Sequence, residues 1–204
     1  ILDTILDILE RSGIRRVIIN LHHQGWTVRR NLRLRKHPNL KIVFSFEPEI
    51  LGTAGALMPV RRLLEDRPFI LMNGDVLCDV DLAAVIETHR CNRSVLATLV
   101  LHPVSLEMGF PAIGSGNNNI LTRFPYGVMT DGDTDWSGTF TGIHVINPEI
   151  FRYLRDQPYQ CINSTVYADA LNAGETLGSF RHDGYWNHVG TPARYFNAHI
   201  DVLD

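Results

Sequence analysis

The sequence predicts an α/β protein whose parallel sheet is covered by helices on both faces. Segments with helical and strand periodicity alternate along the first half, which is the pattern of consecutive βα units. The run 69–72 is wholly apolar, as expected for a strand buried on both faces. Asn73 and Gly74 end this strand, so Asp75 is left at the carboxyl end of a central strand.

Asp75 is the first candidate functional residue, because open α/β sheets bind their ligands at the carboxyl ends of their strands. The alternative is that Asp75 only caps the helix that follows. The stretch 69–75 by itself leaves both interpretations open.

The first half of the chain supplies the alternating elements of the predicted sheet. Apolar residues at helical spacing mark the first helix, which Gly13 follows, and β-branched or wholly apolar runs mark the strands. The predicted helices are 1–9, 26–36, 56–64 and 81–89, and the predicted strands are 16–21, 40–46, 69–72 and 94–102.

The second half is less regular. Residues 111–127 resemble a hairpin with its turn at 114–119, and Pro148 begins a short helix. We also predict strands at 139–147 and 178–185, helices at 165–172 and 194–203, and a turn at 186–192. No linker or internal repeat interrupts the pattern, so residues 1–204 are predicted to form one domain.

The composition is that of an ordinary globular protein, with 45% hydrophobic and 20% charged residues. A net charge of -3 and a pI of about 6.3 argue against polymeric nucleic acid as a partner, whereas a small phosphorylated ligand stays compatible. No apolar run is long enough to span a bilayer, and no signal peptide is visible. Three cysteines without metal or disulfide spacing favour a reducing cytoplasm.

A loop of small residues lies between a predicted strand and a predicted helix. Backbone N–H groups in such a loop can approach an anionic ligand closely, although without further context a tight strand-to-helix turn is the favoured explanation of this composition. Glu47 and Glu49 precede it in what the sequence suggests is a solvated loop. The loop consists of Leu51, Gly52, Thr53, Ala54 and Gly55.

His188 is the second polar candidate, within a Trp-Asn-His-Val-Gly-Thr-Pro turn. An imidazole can bind a divalent metal or act as acid and base, but a lone histidine is also a common structural residue. The acidic run 131–135 resembles a calcium loop only superficially, because Trp136 stands where that loop needs glycine and Gly142 where it needs glutamate.

The motifs 17–23, 51–57, 73–75, 140–151 and 186–192 occur in the order found in one enzyme family. The chain closely resembles the sugar-1-phosphate nucleotidylyltransferases, particularly mannose-1-phosphate guanylyltransferases and N-acetylmuramate-1-phosphate uridylyltransferases. This resemblance implies a nucleotide-diphospho-sugar transferase fold, in which a Rossmann-like, mostly parallel sheet is sandwiched by helices.

The resemblance also implies a reaction, in which a sugar 1-phosphate attacks the α-phosphate of an NTP and pyrophosphate leaves. Mg²⁺ is the expected cofactor, with Asp75 as catalytic residue and metal ligand and His188 as the second metal ligand. The resemblance is also compatible with a homo-oligomer. The implied nucleotide-binding residues are Leu51, Gly52, Thr53, Ala54, Gly55, Asn73 and Gly74, and the implied sugar-binding residues are Thr141 and Gly142.

The sequence departs from the family pattern in three places. The family's opening Gly-x-Gly-Thr-Arg-Leu loop and Pro-Lys pair have no counterpart, so we expect further residues before Ile1 in the natural protein. The family's Glu-Lys-Pro corresponds here to residues 123–125, Arg-Phe-Pro. His188 stands where an acid is usual, which predicts weaker Mg²⁺ binding, a preference for Mn²⁺ or Co²⁺, or loss of activity.

Because His188 stands in place of the acid, a second function is also compatible with the sequence. It is a non-catalytic sugar-nucleotide sensor or regulatory subunit on the same fold. The catalytic interpretation requires pyrophosphate release, whereas the sensor requires ligand binding without turnover.

Overall fold

The computed structural model of the chain describes residues 1–34, 37–103, 109–126 and 132–201, with helices on both faces of a mixed sheet. The helices are α1 (Leu2–Arg11), α2 (Gly25–Leu34), α3 (Gly52–Gly55), α4 (Leu82–Cys91), α5 (Ala168–Asn172) and α6 (Pro192–Asp201). The strands are β1 (Arg16–Leu21), β2 (Lys41–Phe46), β3 (Phe69–Met72), β4 (Val76–Cys78), β5 (Val95–His102), β6 (Ala112–Ser115), β7 (Leu121–Arg123), β8 (Trp136–Ile146), β9 (Thr176–Arg181) and β10 (Trp186–His188).

The long strand β8 lies at the centre of the main sheet. The strand order is β7-β6-β8-β5-β9, and β3 pairs with the carboxyl-terminal half of β8. One edge of β8 is therefore shared, with β6 opposite residues 136–139 and β3 opposite residues 143–146. The other edge is occupied by β5.

The α/β class is as predicted, but the share of parallel pairing is smaller than predicted. Among the strands of the described segments, only β1–β2 and β5–β9 pair in parallel. The strand β8 runs against β3, β5 and β6, and the small pair β4–β10 is also antiparallel. Apolar periodicity reports burial but carries no information on strand direction, which explains the difference.

Hydrophobic side chains cover both faces of the sheet. Because successive strand residues face opposite sides, Leu99 and Ile146 join one cluster while Val100 and Val145 join the other. The first cluster is covered by α5 and the π-helical turn Ile162–Tyr167. The second is covered by α1 and α4, which gives the two-sided covering that the sequence predicts.

The strands β1 and β2 form a separate parallel pair. Within the described part of the chain, β1 pairs only with β2, and β3 pairs only with β8. Val17 of β1 and Ile70 of β3 nevertheless belong to the same hydrophobic cluster, and both are only partly buried. The single domain stays a prediction.

Several predicted boundaries are corrected. The predicted helix 56–64 is instead a 3₁₀ helix at Met58–Leu63, with Pro59 in its first turn, and the single α-helical turn α3 precedes it. The predicted turn 186–192 contains β10, and β4 was not predicted. The predicted helix 165–172 begins as a π-helical turn. Predictions for residues 35–36, 127, 131 and 202–203 lie outside the described residues.

Two bulk predictions can be compared with the structure. Cys78, Cys91 and Cys161 are free thiols, as their spacing predicts. None of the helices in the described segments has the length and apolarity needed to cross a bilayer.

A neutral histidine is buried in the centre of the sheet. His144 of β8 is only 1% exposed, and its Nδ1 shares a 2.6 Å hydrogen bond with the hydroxyl of Tyr167. Burial lowers the pKa of His144 from 6.5 to about 3. The unfolded chain therefore binds a proton below pH 6.5 that the folded chain rejects, and stability present above that pH is lost as the pH falls.

This histidine should make the protein acid-labile. Between about pH 6 and pH 4, His144 alone should lower the free energy of unfolding by about 1.4 kcal/mol per pH unit. His144→Gln does not titrate, so it should have a shallower pH dependence by that amount. Urea unfolding of both proteins across this pH range measures the difference. Equal slopes would mean that His144 takes up its proton without unfolding.

Candidate active site

Asp75 lies in the short connection between β3 and β4, and its side chain is 48% exposed. A strand follows it, so the helix-capping alternative is wrong. The helix α4 is capped by Asp81, whose Oδ1 accepts hydrogen bonds from the backbone N–H groups of Ala83 and Ala84. Asp75 is thus left as a carboxylate at the strand end without a capping role.

The structure brings His188 to Asp75 from the other half of the chain. The strand β10 pairs with β4 so that His188 lies opposite Val76, and the N–H of Val189 donates to the Asp75 carbonyl at 2.8 Å. The Nε2 atom of His188 lies 3.0 Å from Oδ2 of Asp75. A Cβ at Gly190 would lie 2.5 Å from His188 Cε1, so any larger residue there would force the imidazole to move.

Arg194 of α6 fixes the tautomer of His188. Its Nη1 lies 3.3 Å from Nδ1 of His188, and its guanidinium carbon lies 4.9 Å from the centre of the Phe110 ring. A guanidinium can only donate, so Nδ1 is the acceptor and Nε2 carries the proton. The result is a chain of hydrogen bonds that runs from Arg194 through His188 to Asp75.

Asn73 and Gly142 meet where β3 leaves β8. The Asn73 N–H donates to the Gly142 carbonyl at 2.9 Å. Gly142 has φ +83°, and a Cβ there would lie 2.7 Å from Nδ2 of Asn73. Both the backbone conformation and the close approach therefore require glycine. Gly74 has no such restriction, since a Cβ there would meet nothing within 4 Å.

Thr141 is held by the sheet rather than presented to the cleft as a free hydroxyl. Its Oγ1 donates to the Val100 carbonyl at 2.9 Å, and its own carbonyl accepts from the Trp186 indole N–H at 3.0 Å. Thr141 is 1% exposed. It thereby locks Trp186 of β10 against β8 and forms part of the cleft wall.

The predicted nucleotide loop packs against residues 158–160. The N–H groups of Ala54 and Gly55 both point to the Gln160 carbonyl, at 3.0 and 3.4 Å, and the Gln160 N–H donates to the Leu51 carbonyl at 2.8 Å. Gly52 has φ +72°, and a Cβ there would lie 2.5 Å from the same Gln160 carbonyl. Close packing thus accounts for Gly52, Ala54 and Gly55, whereas Thr53 lines the cleft.

Glu47 is not part of a solvated loop, which corrects the sequence interpretation. It is only 7% exposed. Its Oε1 accepts from the Asn20 amide at 2.9 Å and its Oε2 from the Leu51 N–H at 3.3 Å. The carboxylate therefore fastens the start of the 51–55 loop to the end of β1. Glu49 is exposed, as the sequence suggests.

These elements surround a cleft of about 160 Å³. Asn163 lines this cleft, and its Oδ1 is a buried atom without a hydrogen-bond partner among the described residues. The cleft is lined by Thr53, Asn73, Phe110, Phe140, Thr141, Gly142, Ile162, Asn163, Trp186 and His188. A wider cleft of about 530 Å³ beside α4 and β9 contains none of the predicted site residues. Because the predicted polar residues converge on the smaller cleft, the smaller cleft is the better candidate for the active site.

Sequence reasoning missed Asn163, Arg194 and Phe110 as parts of the site. Asn163 belongs to a π-helical turn, a rare conformation that recurs at functional sites but has no simple sequence signal. Arg194 was assigned only to a helix, although it follows the His188 motif closely enough to fold back on it. Phe110 lies outside every recognised motif.

The chain has relatives among known proteins. Mannose-1-phosphate guanyltransferase from Schizosaccharomyces pombe is 28% identical over 199 residues, which cover 95% of this chain and 53% of that protein. UTP--glucose-1-phosphate uridylyltransferase from Synechocystis is 21% identical over 216 residues, covering 100% of this chain and 55% of that protein. The chain thus spans about half the length of these relatives.

The fold is shared with solved structures. HddC from Yersinia pseudotuberculosis complexed with GMP-PN superposes with a TM-score of 0.75 at 19% identity, covering 98% of this chain and 84% of that chain. UDP-glucose pyrophosphorylase from Acinetobacter baumanii gives a TM-score of 0.74 at 16% identity, covering 98% of this chain and 81% of the other. These likenesses confirm the predicted fold class.

The family model described as Nucleotidyl transferase matches residues 1–204. Its match covers the motifs of the cleft and the elements that support them, which confirms the predicted resemblance to sugar-1-phosphate nucleotidylyltransferases. The chain belongs to the nucleotidyl transferase family.

Proposed function

We propose that this chain transfers a nucleotidyl group from an NTP to a sugar 1-phosphate, releasing pyrophosphate. The observation that carries the proposal is the 3.0 Å contact between Asp75 and His188, formed at the rim of a cleft with aromatic and amide walls. Residues from separate predicted motifs converge there, which is what a site for two small substrates requires. Relatives named for mannose 1-phosphate and glucose 1-phosphate support this substrate class.

The reaction requires that the two substrates be positioned and that their negative charge be neutralised. An oxygen of the sugar phosphate forms a bond to the α-phosphorus, while the bond from that phosphorus to the bridging oxygen of pyrophosphate breaks. Both reactants are anionic, so the protein must reduce their repulsion and hold them in line. Arg194, at the side of His188, is a positive charge close enough to the cleft to contribute to this.

A divalent metal fits one part of this site. Mg²⁺ commonly binds one or two carboxylates together with substrate phosphates, and Asp75 offers an exposed carboxylate. His188 Nε2 donates its proton to Asp75, so it must lose that proton to become a ligand. Asp75 is therefore the proposed ligand for Mg²⁺, and His188 adds a ligand for Mn²⁺ or Co²⁺, which accept nitrogen. The metal would neutralise phosphate charge when bound.

The sugar fits the aromatic end of the cleft. Phe110 and Trp186 stand with ring centres 5.6 Å apart, and rings of this kind supply apolar faces for a sugar. Oδ1 of Asn163, which has no partner within the described segments, can accept a hydrogen bond from a sugar hydroxyl. Thr53, the loop residue at the cleft, is proposed to face the nucleotide.

Removing the charge of Asp75 should abolish most activity. Asp75→Asn keeps the shape and an acceptor for His188, so the fold should persist while kcat/KM falls by about 100-fold or more. Pyrophosphate release from the full-length gene product with GTP and mannose 1-phosphate, and with UTP and glucose 1-phosphate, measures this.

Asp79 provides a matched control. It lies 3.2 Å from His182 in a second carboxylate–imidazole pair that does not line the cleft. Asp79→Asn should retain activity within about twofold. Equal losses in Asp75→Asn and Asp79→Asn would contradict a special role for Asp75.

The variant His188→Asp distinguishes the two proposed functions, a catalytic enzyme and a non-catalytic sensor. His188 favours the sensor for two reasons. It stands where the resemblance implies a second carboxylate, and its Nε2–H donates a hydrogen bond to the carboxylate of Asp75. For an enzyme, we expect His188→Asp to lower the Mg²⁺ concentration for half-maximal activity while kcat changes less than about tenfold. Turnover that appears only in His188→Asp, together with ligand binding by the native protein in calorimetry, would instead establish the sensor.

Asn163 should affect the sugar more than the nucleotide. Asn163→Ala removes one hydrogen-bond acceptor, so the KM for the sugar 1-phosphate should rise about 3- to 10-fold with the KM for the NTP unchanged. Steady-state kinetics with each substrate varied in turn measures both constants. Asn117→Ala, in an exposed hairpin turn, is the control and should change neither. A rise confined to the KM for the NTP would place Asn163 on the nucleotide instead.

A further inference from the structure

A cluster of acids lies on one face of α1, and none of these acids lines the cleft. Asp3, Asp7 and Glu10 follow one another at helical spacing, so their side chains share a face. All three converge on His37, which precedes β2. At most one of their negative charges can be balanced by the imidazole, and like charges at this spacing weaken a helix.

The imidazole of His37 is buried within this cluster. Its side chain is only 6% exposed, and neither ring nitrogen has a hydrogen-bond partner among the residues that the structure describes. Nδ1 lies 3.5 Å from Asp7 Oδ1 and 3.7 Å from Glu10 Oε2, while Nε2 lies 3.6 Å from Asp3 Oδ1. These separations exceed ordinary hydrogen-bond distances.

The same separations suit three ligands of one small cation. Atoms bound at about 2.0–2.1 Å in a tetrahedral site lie about 3.4 Å from one another. One ring nitrogen of His37 and one carboxylate oxygen from each of Asp7 and Glu10 lie within 4.8 Å of one another. Nδ1 of His37 lies 3.5 Å from Asp7 Oδ1 and 3.7 Å from Glu10 Oε2, close to the ligand spacing of such a site. The exposed carboxylate of Asp7 can close the remaining distance around an ion, with water in the fourth position.

Two neighbouring groups orient these ligands. The backbone N–H of Asn39 donates to Glu10 Oε1 at 2.9 Å, which leaves Oε2 directed at His37. Asp3 faces Nε2, where a carboxylate can accept the Nε2 proton and hold the tautomer that presents a lone pair at Nδ1. A histidine that binds metal through one nitrogen usually has such a partner at the other.

We propose that Asp7, Glu10 and His37 bind a divalent transition metal, with Zn²⁺ as the preferred ion and Asp3 as the partner of the histidine. One imidazole and two carboxylates match the ligands of Zn²⁺ better than the all-oxygen sets that Mg²⁺ and Ca²⁺ prefer. Asp7 is 59% exposed, which leaves an entry path and room for a water ligand. The ion would fasten α1 to the segment that leads into β2.

Calorimetric titration of the chelator-treated protein with ZnCl₂ tests the site. The double variant Asp75→Asn/His188→Gln removes the other candidate metal site, and it should still bind one equivalent of Zn²⁺. Adding His37→Gln, Asp7→Asn or Glu10→Gln to that background should weaken binding at least about 10-fold. Zn²⁺ at about 100 times its Kd should raise the Tm of the background variant by about 5 °C or more.

His182→Gln is the matched control, because His182 is also buried and faces a single carboxylate. It should leave the Zn²⁺ affinity unchanged. Asp7→Asn alters an exposed side chain, so it reports on the site even if His37→Gln does not fold. The proposal is overturned if the background variant binds no Zn²⁺, or if Asp7→Asn binds it as tightly as the background does. Neither result depends on the nucleotidyl transfer activity.

Discussion

The antiparallel pairing of β8 with β3 is the interaction on which the rest of the structure depends. It sets Met72 opposite Ile143, so Asn73 leaves the sheet beside Gly142 and Asp75 follows immediately. The same strand carries Thr141, whose carbonyl holds the indole of Trp186 and thereby the start of β10. A shift of one residue in this register would turn alternate side chains to the opposite faces and separate Asp75 from His188.

The pair formed by Asp75 and His188 has a defined polarity because of Arg194. The guanidinium can only donate, so the proton of the imidazole faces the carboxylate. The negative charge of Asp75 is thereby partly shared through His188. A histidine at position 188, where the sequence resemblance implies an acid, thus changes the site in two ways. It removes one negative charge, and it occupies one oxygen of the remaining carboxylate.

Much of this site follows from sequence because it is built at strand ends. A wholly apolar run that stops at Asn73-Gly74 indicates where β3 ends, and the exposed acid follows from that. The ordered motifs predict that Asp75 and His188 belong to one site. Strand direction, the burial of Glu47 and the burial of the Asn163 oxygen depend on tertiary contacts that local periodicity does not encode. The mixed sheet was missed for the same reason.

The two proposed metal sites should respond differently to substrate. Asp75 offers a single carboxylate beside Arg194, so Mg²⁺ there depends on phosphate oxygens from bound substrates. The cluster on α1 offers two carboxylates and an imidazole that is already desolvated, so its burial cost is met during folding. Metal binding in the absence of nucleotide therefore reports on α1, and metal binding that requires nucleotide reports on Asp75. This difference separates a structural ion from a catalytic one within the same chain.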